Sequence, residues 1–180
     1  ALITLTVFGA LFAPYLTPYE PNDQMFDGLT LQGAPMAPGG QFALGTDLLG
    51  RDLLTRILYG ARTSLIIGVL ANGVALIIGT FVGVTAGYFG GVWGNMLMRF
   101  TDLMMAFPAL LLAICLAAIF QPSLWIVAMV IATVNWVQTA RVLYAETASL
   151  SQREFIAAER TLGAGNMRIL FRHILPHLTP

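Results

Sequence analysis

Apolar and polar positions divide this chain into long apolar runs and two polar stretches. Residues 1–16 are almost entirely apolar, and three further apolar runs cover about 64–88, 96–120 and 124–144. At about 1.5 Å of rise per residue, each of the last three is long enough for a helix to cross about 30 Å of hydrocarbon. Backbone N–H and C=O groups find no water at that depth, so helices are the predicted form. The 1–16 run is too short to be a whole span. It begins without Met or a basic leader and reads as the outer half of a truncated first transmembrane helix.

The first polar stretch, 17–63, opens with Pro18, Pro21, Pro35 and Pro38 among Gly28, Gly33, Gly39 and Gly40, which is loop chemistry. From Asp47 to Arg62, Leu48, Leu49, Leu53, Leu54, Ile57 and Leu58 recur at helical spacing around Arg51, Asp52 and Arg56. That pattern predicts an amphipathic helix lying in the membrane interface. In the second stretch, 147–176, Ser151-x-x-Glu154 reads as a capping box. Phe155, Ala158 and Leu162 share one helical face, and Gly163 ends that short helix. Met167, Leu170, Phe171 and Ile174 then mark a second helix, which Pro176 ends or kinks. The result is a helix–glycine–helix elbow, followed at 177–180 by the start of a further helix. Two readings fit the elbow: an amphipathic loop on lipid headgroups, or a knob docking into a cytosolic partner.

Composition agrees with the pattern. The chain of 180 residues is 57% hydrophobic and 10% charged, against about 25% charged in ordinary soluble domains. The fold class is therefore all-α, a multi-pass helical membrane protein embedded in membrane lipid. Net charge is zero and lysine is absent, so nothing points to a nucleic-acid-binding surface. Arginine sets the orientation. Arg153, Arg160, Arg168 and Arg172 lie in the second polar stretch, whereas 17–63 carries three arginines against five acids. The positive-inside rule places 17–63 outside and 147–176 in the cytoplasm, consistent with three intervening spans.

Chemistry-bearing residues are few. His173 and His177 lack a third metal ligand, so no metal site is expected. Cys115 reads as a small packing residue. No Ser/His or Cys/His constellation stands at a shared depth, and no phosphate-binding loop is present, so the chain is not an enzyme and any ATP must bind elsewhere. Gly79, Gly83 and Gly87 line one helix face and permit close helix approach, within the subunit as the simpler reading or at a subunit interface. Arg99 and Asp102, three apart, can pair. Pro108 predicts a kink. Asn135, Trp136 and Gln138 bring polarity into the last span, either as interhelical glue or as lining of a pathway suited to peptide amides.

The stretch EFIAAERTLGAGNMRILFRHILPH (154–177) resembles the cytoplasmic "EAA" loop of ABC importer permeases. Its triplet falls on Ala157, Ala158 and Glu159, its glycine on Gly163 and its Leu-Pro on Leu175 and Pro176. Residues 44–68, 79–91, 97–114 and 122–141 resemble further blocks of the dipeptide, oligopeptide and nickel subgroup, in the same order, so the resemblance covers nearly the whole chain. It implies a type I importer permease, a C-type subunit of six helices, truncated here at both ends. It also implies that the loop, with Glu154, Phe155 and Leu162 among its residues, docks into an ATPase. Glu159 stands where the family has a small residue and needs a partner, Arg160 or a cation of another chain. The implied partners are a second permease subunit, two ATP-binding cassette ATPases and an extracytoplasmic solute-binding protein. ATP and magnesium would sit on the ATPases, with no cofactor in this chain. The implied location is the cytoplasmic membrane of a prokaryote. The rival readings are a passive channel subunit and a non-transporting scaffold or remnant.

Overall fold

A computed structural model describes residues 2–121 and 123–178. Within them the regular elements are helical, with isolated bridges at Leu29–Pro35, Gly39–Phe42 and Thr46–Asp52. The helices are α1 (Leu2–Leu11), α2 (Ala13–Leu16), α3 (Leu53–Phe89), α4 (Gly91–Ala106), α5 (Ala109–Ile119), α6 (Leu124–Ser151), α7 (Glu154–Thr161) and α8 (Asn166–Ile169). After α8 the chain continues through a π-helical turn (Leu170–Ile174) and a 3-10 turn (Leu175–His177). Thr179 and Pro180, part of the expected next helix, lie outside the described residues, as does Ala1. The chain divides into two compact units, 1–68 and 69–180.

In the first unit the proline- and glycine-rich loop is ordered by side chains that replace a ladder. Thr46, buried, accepts from the Met36 N–H at 2.8 Å and donates to the Gly28 carbonyl at 2.5 Å. Asp47 Oδ1 accepts from the N–H groups of Leu49 and Arg51, and its Oδ2 meets Arg51 Nε at 2.8 Å. Burial works against the charged form of Asp47, but these hydrogen bonds and the Arg51 charge outweigh it, and the carboxyl titrates below its usual range. Asp52 Oδ2 then accepts from the N–H and hydroxyl of Thr55, at 2.8 and 2.6 Å, and caps α3. The expected interfacial helix from Asp47 is therefore not a separate element. Residues 47–51 form a turn around the Asp47 carboxylate. The leucine-rich segment is the start of one 37-residue helix, about 55 Å long at the standard rise.

In the second unit α3 and α6 meet backbone to backbone. A Cβ on Gly79 would lie 2.6 Å from Thr139 Cβ and 2.8 Å from the Trp136 carbonyl oxygen. On Gly83 it would collide with the Ala140 carbonyl, and on Gly87 it would lie 2.7 Å from that of Tyr144. The glycine stripe faces α6 of the same chain. Beside it, Ala75, Ala132, Trp136, Val137 and Ala140 form a buried cluster, with Phe100 of α4 stacked on Trp136.

The expected 96–120 span is not one helix. Phe107 is extended (φ −83°, ψ 126°), as the residue before a proline prefers to be, and Pro108 opens α5. The helix axes turn by 80° there, far more than a kink. α3 and α6 are each long and apolar enough to cross a membrane, and α4 with α5 makes either a broken span or a re-entrant pair.

Candidate functional site

The elbow is the part of the second unit with the most specific construction. The capping box does not form. Ser151 is the last residue of α6 and its hydroxyl donates to the Ala148 carbonyl. Arg153, in extended geometry and without a side-chain cap, opens α7. The α6 helix takes in Ser151, and the N-cap of α7 falls two residues later, on Arg153.

Gly163 has φ +83°. Its N–H donates to the Arg160 carbonyl and the Ala164 N–H to that of Glu159, both at 3.0 Å. This paired closure is the Schellman motif, which requires the left-handed conformation that glycine adopts at least cost. Among the described residues no neighbouring atom lies within 4 Å of where a Cβ would go, so the demand for glycine here is conformational rather than spatial.

Two faces emerge. Ile156, Ile169, Leu170 and Ile174 are buried together with Val84 and Tyr88 from the end of α3. Ile156, Ile169 and Ile174 are fully inaccessible. The residues whose spacing suggested the apolar face divide differently. Leu170 and Ile174 point inward, but Phe155, Leu162, Met167 and Phe171 are exposed, Leu162 at 83%. Ala157 and Ala158 are also exposed and Glu159 is half-buried. Sequence spacing missed Ile156 and Ile169, because alternating exposed and buried apolar residues satisfy the same helical period on two adjacent faces.

The arms of the elbow are tied by polar contacts. Glu159 Oε1 lies 3.5 Å from His173 Nε2, so its partner within this chain is His173 rather than Arg160. Arg160 instead lies over the Tyr88 ring, 5.2 Å from its centroid. Glu154 opens α7, where a carboxylate favours the helix dipole. Phe155 stacks on His177, whose Nδ1 is 2.6 Å from the His173 carbonyl oxygen. Leu175 is half-buried beside the elbow core and Pro176 is exposed.

The other candidates lie elsewhere. Trp136 is buried in the α3–α6 cluster and is a packing residue of this unit, whereas Asn135 and Gln138 are exposed on another face of α6. Gln138 borders a cleft of about 190 Å³ at the α4–α5 break, with Met104, Pro108 and Thr133. Asp102 pairs not with Arg99 but with Arg141 of α6, a cross-helix partner that spacing within one helix could not indicate.

Residues 75–180 match the family described as "Binding-protein-dependent transport system inner membrane component". The chain is 42% identical over 175 residues to a di/tripeptide transport system permease of Pseudomonas aeruginosa, covering 96% of this chain and 57% of that protein. It is 44% identical over 177 residues to a dipeptide transport system permease of Alkalihalophilus pseudofirmus, covering 98% and 56%. An oligopeptide transport system permease of Bacillus subtilis is 34% identical over 176 residues, covering 98% and 56%. The chain thus spans less than two thirds of the length of these relatives.

Proposed function

The chain belongs to the family of inner-membrane components of binding-protein-dependent transport systems, and from that premise we propose that it serves an importer of peptides, coupled to ATPase subunits through the elbow at 154–176. The observation that carries the reading is the two-faced elbow. Its inner face is fixed on α3 through Ile156, Ile169 and Ile174, while Phe155, Leu162, Met167 and Phe171 are exposed among the described residues. A loop that only rested on headgroups would not need a fully buried core and a Schellman closure.

In this reading two ATPases bind ATP and magnesium and close on each other. The elbow follows, and the membrane helices open alternately to an extracytoplasmic solute-binding protein and to the cytoplasm. A second permease subunit completes the pathway. Such a change requires the elbow to dock differently in the two ATPase states. This chain is a transport subunit, and ATP hydrolysis belongs to its partners. The peptide class follows the names of the relatives. Charge places 17–63 outside and 147–176 in the cytoplasm. That polarity needs α4 and α5 to cross as one broken span, because α3 and α6 alone would return the chain to its starting side.

The test is co-purification of the full-length subunit with ATPases in mild detergent. Wild type should retain them and Gly163→Arg should lose them. An absence of ATPases with wild type, in cells expressing them, would favour a channel or scaffold.

A further inference from the structure

We propose that Tyr88 is the positioning residue that fastens the elbow to α3, so that movement of the elbow is delivered to α3 as well as to α6. The inference rests on the reading of the elbow as the ATPase-docking element. On its N-terminal side the elbow is joined covalently to α6: α6 ends at Ser151 and α7 begins at Glu154. That link delivers movement of a docked ATPase to α6 and by itself leaves α3 to follow through packing.

A second attachment is built around one side chain. Tyr88 lies next to the last residue of α3 and is only 8% exposed. Its ring belongs to the cluster of Val84, Ile156, Ile169, Leu170 and Ile174. Its hydroxyl donates to Asn166 Oδ1 at 2.9 Å, at the first residue of α8. Its face receives the Arg160 guanidinium from α7 at 5.2 Å, within the range of a cation–π contact. One residue of α3 therefore holds both arms of the elbow, by different chemistry on each. The arms are themselves joined by Glu159–His173 and by the Gly163 closure, so they respond together.

The position of Tyr88 along α3 adds the second half of the argument. Gly87, its neighbour, lies against the Tyr144 carbonyl and Thr147 of α6. The point where the elbow holds α3 thus adjoins one of the three glycines at which α3 and α6 meet backbone to backbone. A load entering at Tyr88 meets a stiff contact rather than a flexible side-chain layer.

The experiment compares hydrogen exchange of 79–89 and 154–177 in the whole transporter in nanodiscs, nucleotide-free and trapped with ATP and vanadate. In wild type both segments should change on trapping. Tyr88→Phe removes only the hydroxyl, and resting exchange in 166–178 should rise about two- to tenfold, as loss of one hydrogen bond allows. Tyr88→Leu keeps an apolar side chain but loses both polar contacts, and should leave the elbow responding while 79–89 no longer does. Asn166→Ala should match Tyr88→Phe, and the two together should add little. ATPase co-purification should persist throughout. An unchanged response of 79–89 in both Tyr88 variants, with ATPases bound, would overturn the inference and leave the docking reading intact. Loss of ATPases from wild type would overturn both.

Discussion

A single methyl group at Gly83 tests the close contact between α3 and α6. Its Cβ would overlap the Ala140 carbonyl and lie 3.0 Å from Leu143 Cβ. The carbonyl belongs to the α6 backbone and cannot swing aside, so the helices must separate, by roughly 1 Å to restore an ordinary contact of about 3.5 Å. A gap of that size forfeits about a quarter to a half of each dispersion well along the seam, and overpacking of this kind costs about 1–3 kcal/mol. Alanine regains about 0.8–1.0 kcal/mol of helix propensity over glycine, which leaves Gly83→Ala destabilising by about 0–2 kcal/mol. Gly73 supplies the internal control, since it lies in the same helix with nothing within 4 Å of its Cβ position. Gly73→Ala should keep the propensity gain without the clash. Thermal unfolding of the full-length subunit in mild detergent should place Gly83→Ala below wild type and Gly73→Ala at or above it. If Gly83→Ala melts no lower than Gly73→Ala, the stripe is not a tight seam and the reasoning fails.

Four further outcomes follow from particular contacts. At Gly163, asparagine tolerates the left-handed conformation and valine does not. Gly163→Asn should therefore retain ATPase binding, and Gly163→Val should lose at least about 1 kcal/mol of elbow stability together with binding; equal behaviour would count against a conformational role. Thr147 Oγ1 is buried without a hydrogen-bond partner among the described residues, so Thr147→Val should raise stability by about 1 kcal/mol in a chemical denaturation series. The lowered titration of Asp47 gives its turn a stabilisation that is complete above the ordinary carboxylate range and lost as pH falls through the lowered value. Protection of the Leu49 and Arg51 amides, measured against their intrinsic exchange rates, should fall on acidification in wild type but show no such step in Asp47→Asn. Reporter fusions should mark residue 40 as extracytoplasmic and residue 165 as cytoplasmic; the same side for both would make α4–α5 a re-entrant pair.

Much of the architecture is legible in one dimension because the bilayer imposes a one-dimensional rule: an apolar run of sufficient length becomes a helix. That rule locates α3 and α6, and arginine bias supplies an orientation. The elbow is legible too, since Gly163 marks a left-handed closure that β-branched and bulky residues resist. Local rules fail where two elements compete for the same residues. Asp47 was expected inside a helix, but its carboxylate binds the Leu49 and Arg51 N–H groups and holds the chain in a turn. Ser151 was expected to cap α7, but α6 absorbs it. Pro108 was expected to kink a span, but with extended Phe107 before it the axes turn by 80°.

The sequence by itself determined that this chain is a helical membrane protein, which runs are helical, and that a glycine-hinged elbow follows the last of them. Periodicity and transfer free energy act on neighbours along the chain and need no knowledge of what lies opposite. Tertiary structure alone decided the pairings: Asp102 with Arg141, Glu159 with His173, and Tyr88 with both arms of the elbow. It also decided which apolar residues of the elbow face inward. Those choices depend on which surfaces meet across 14 to 78 positions of sequence, and helical spacing carries no information at that range.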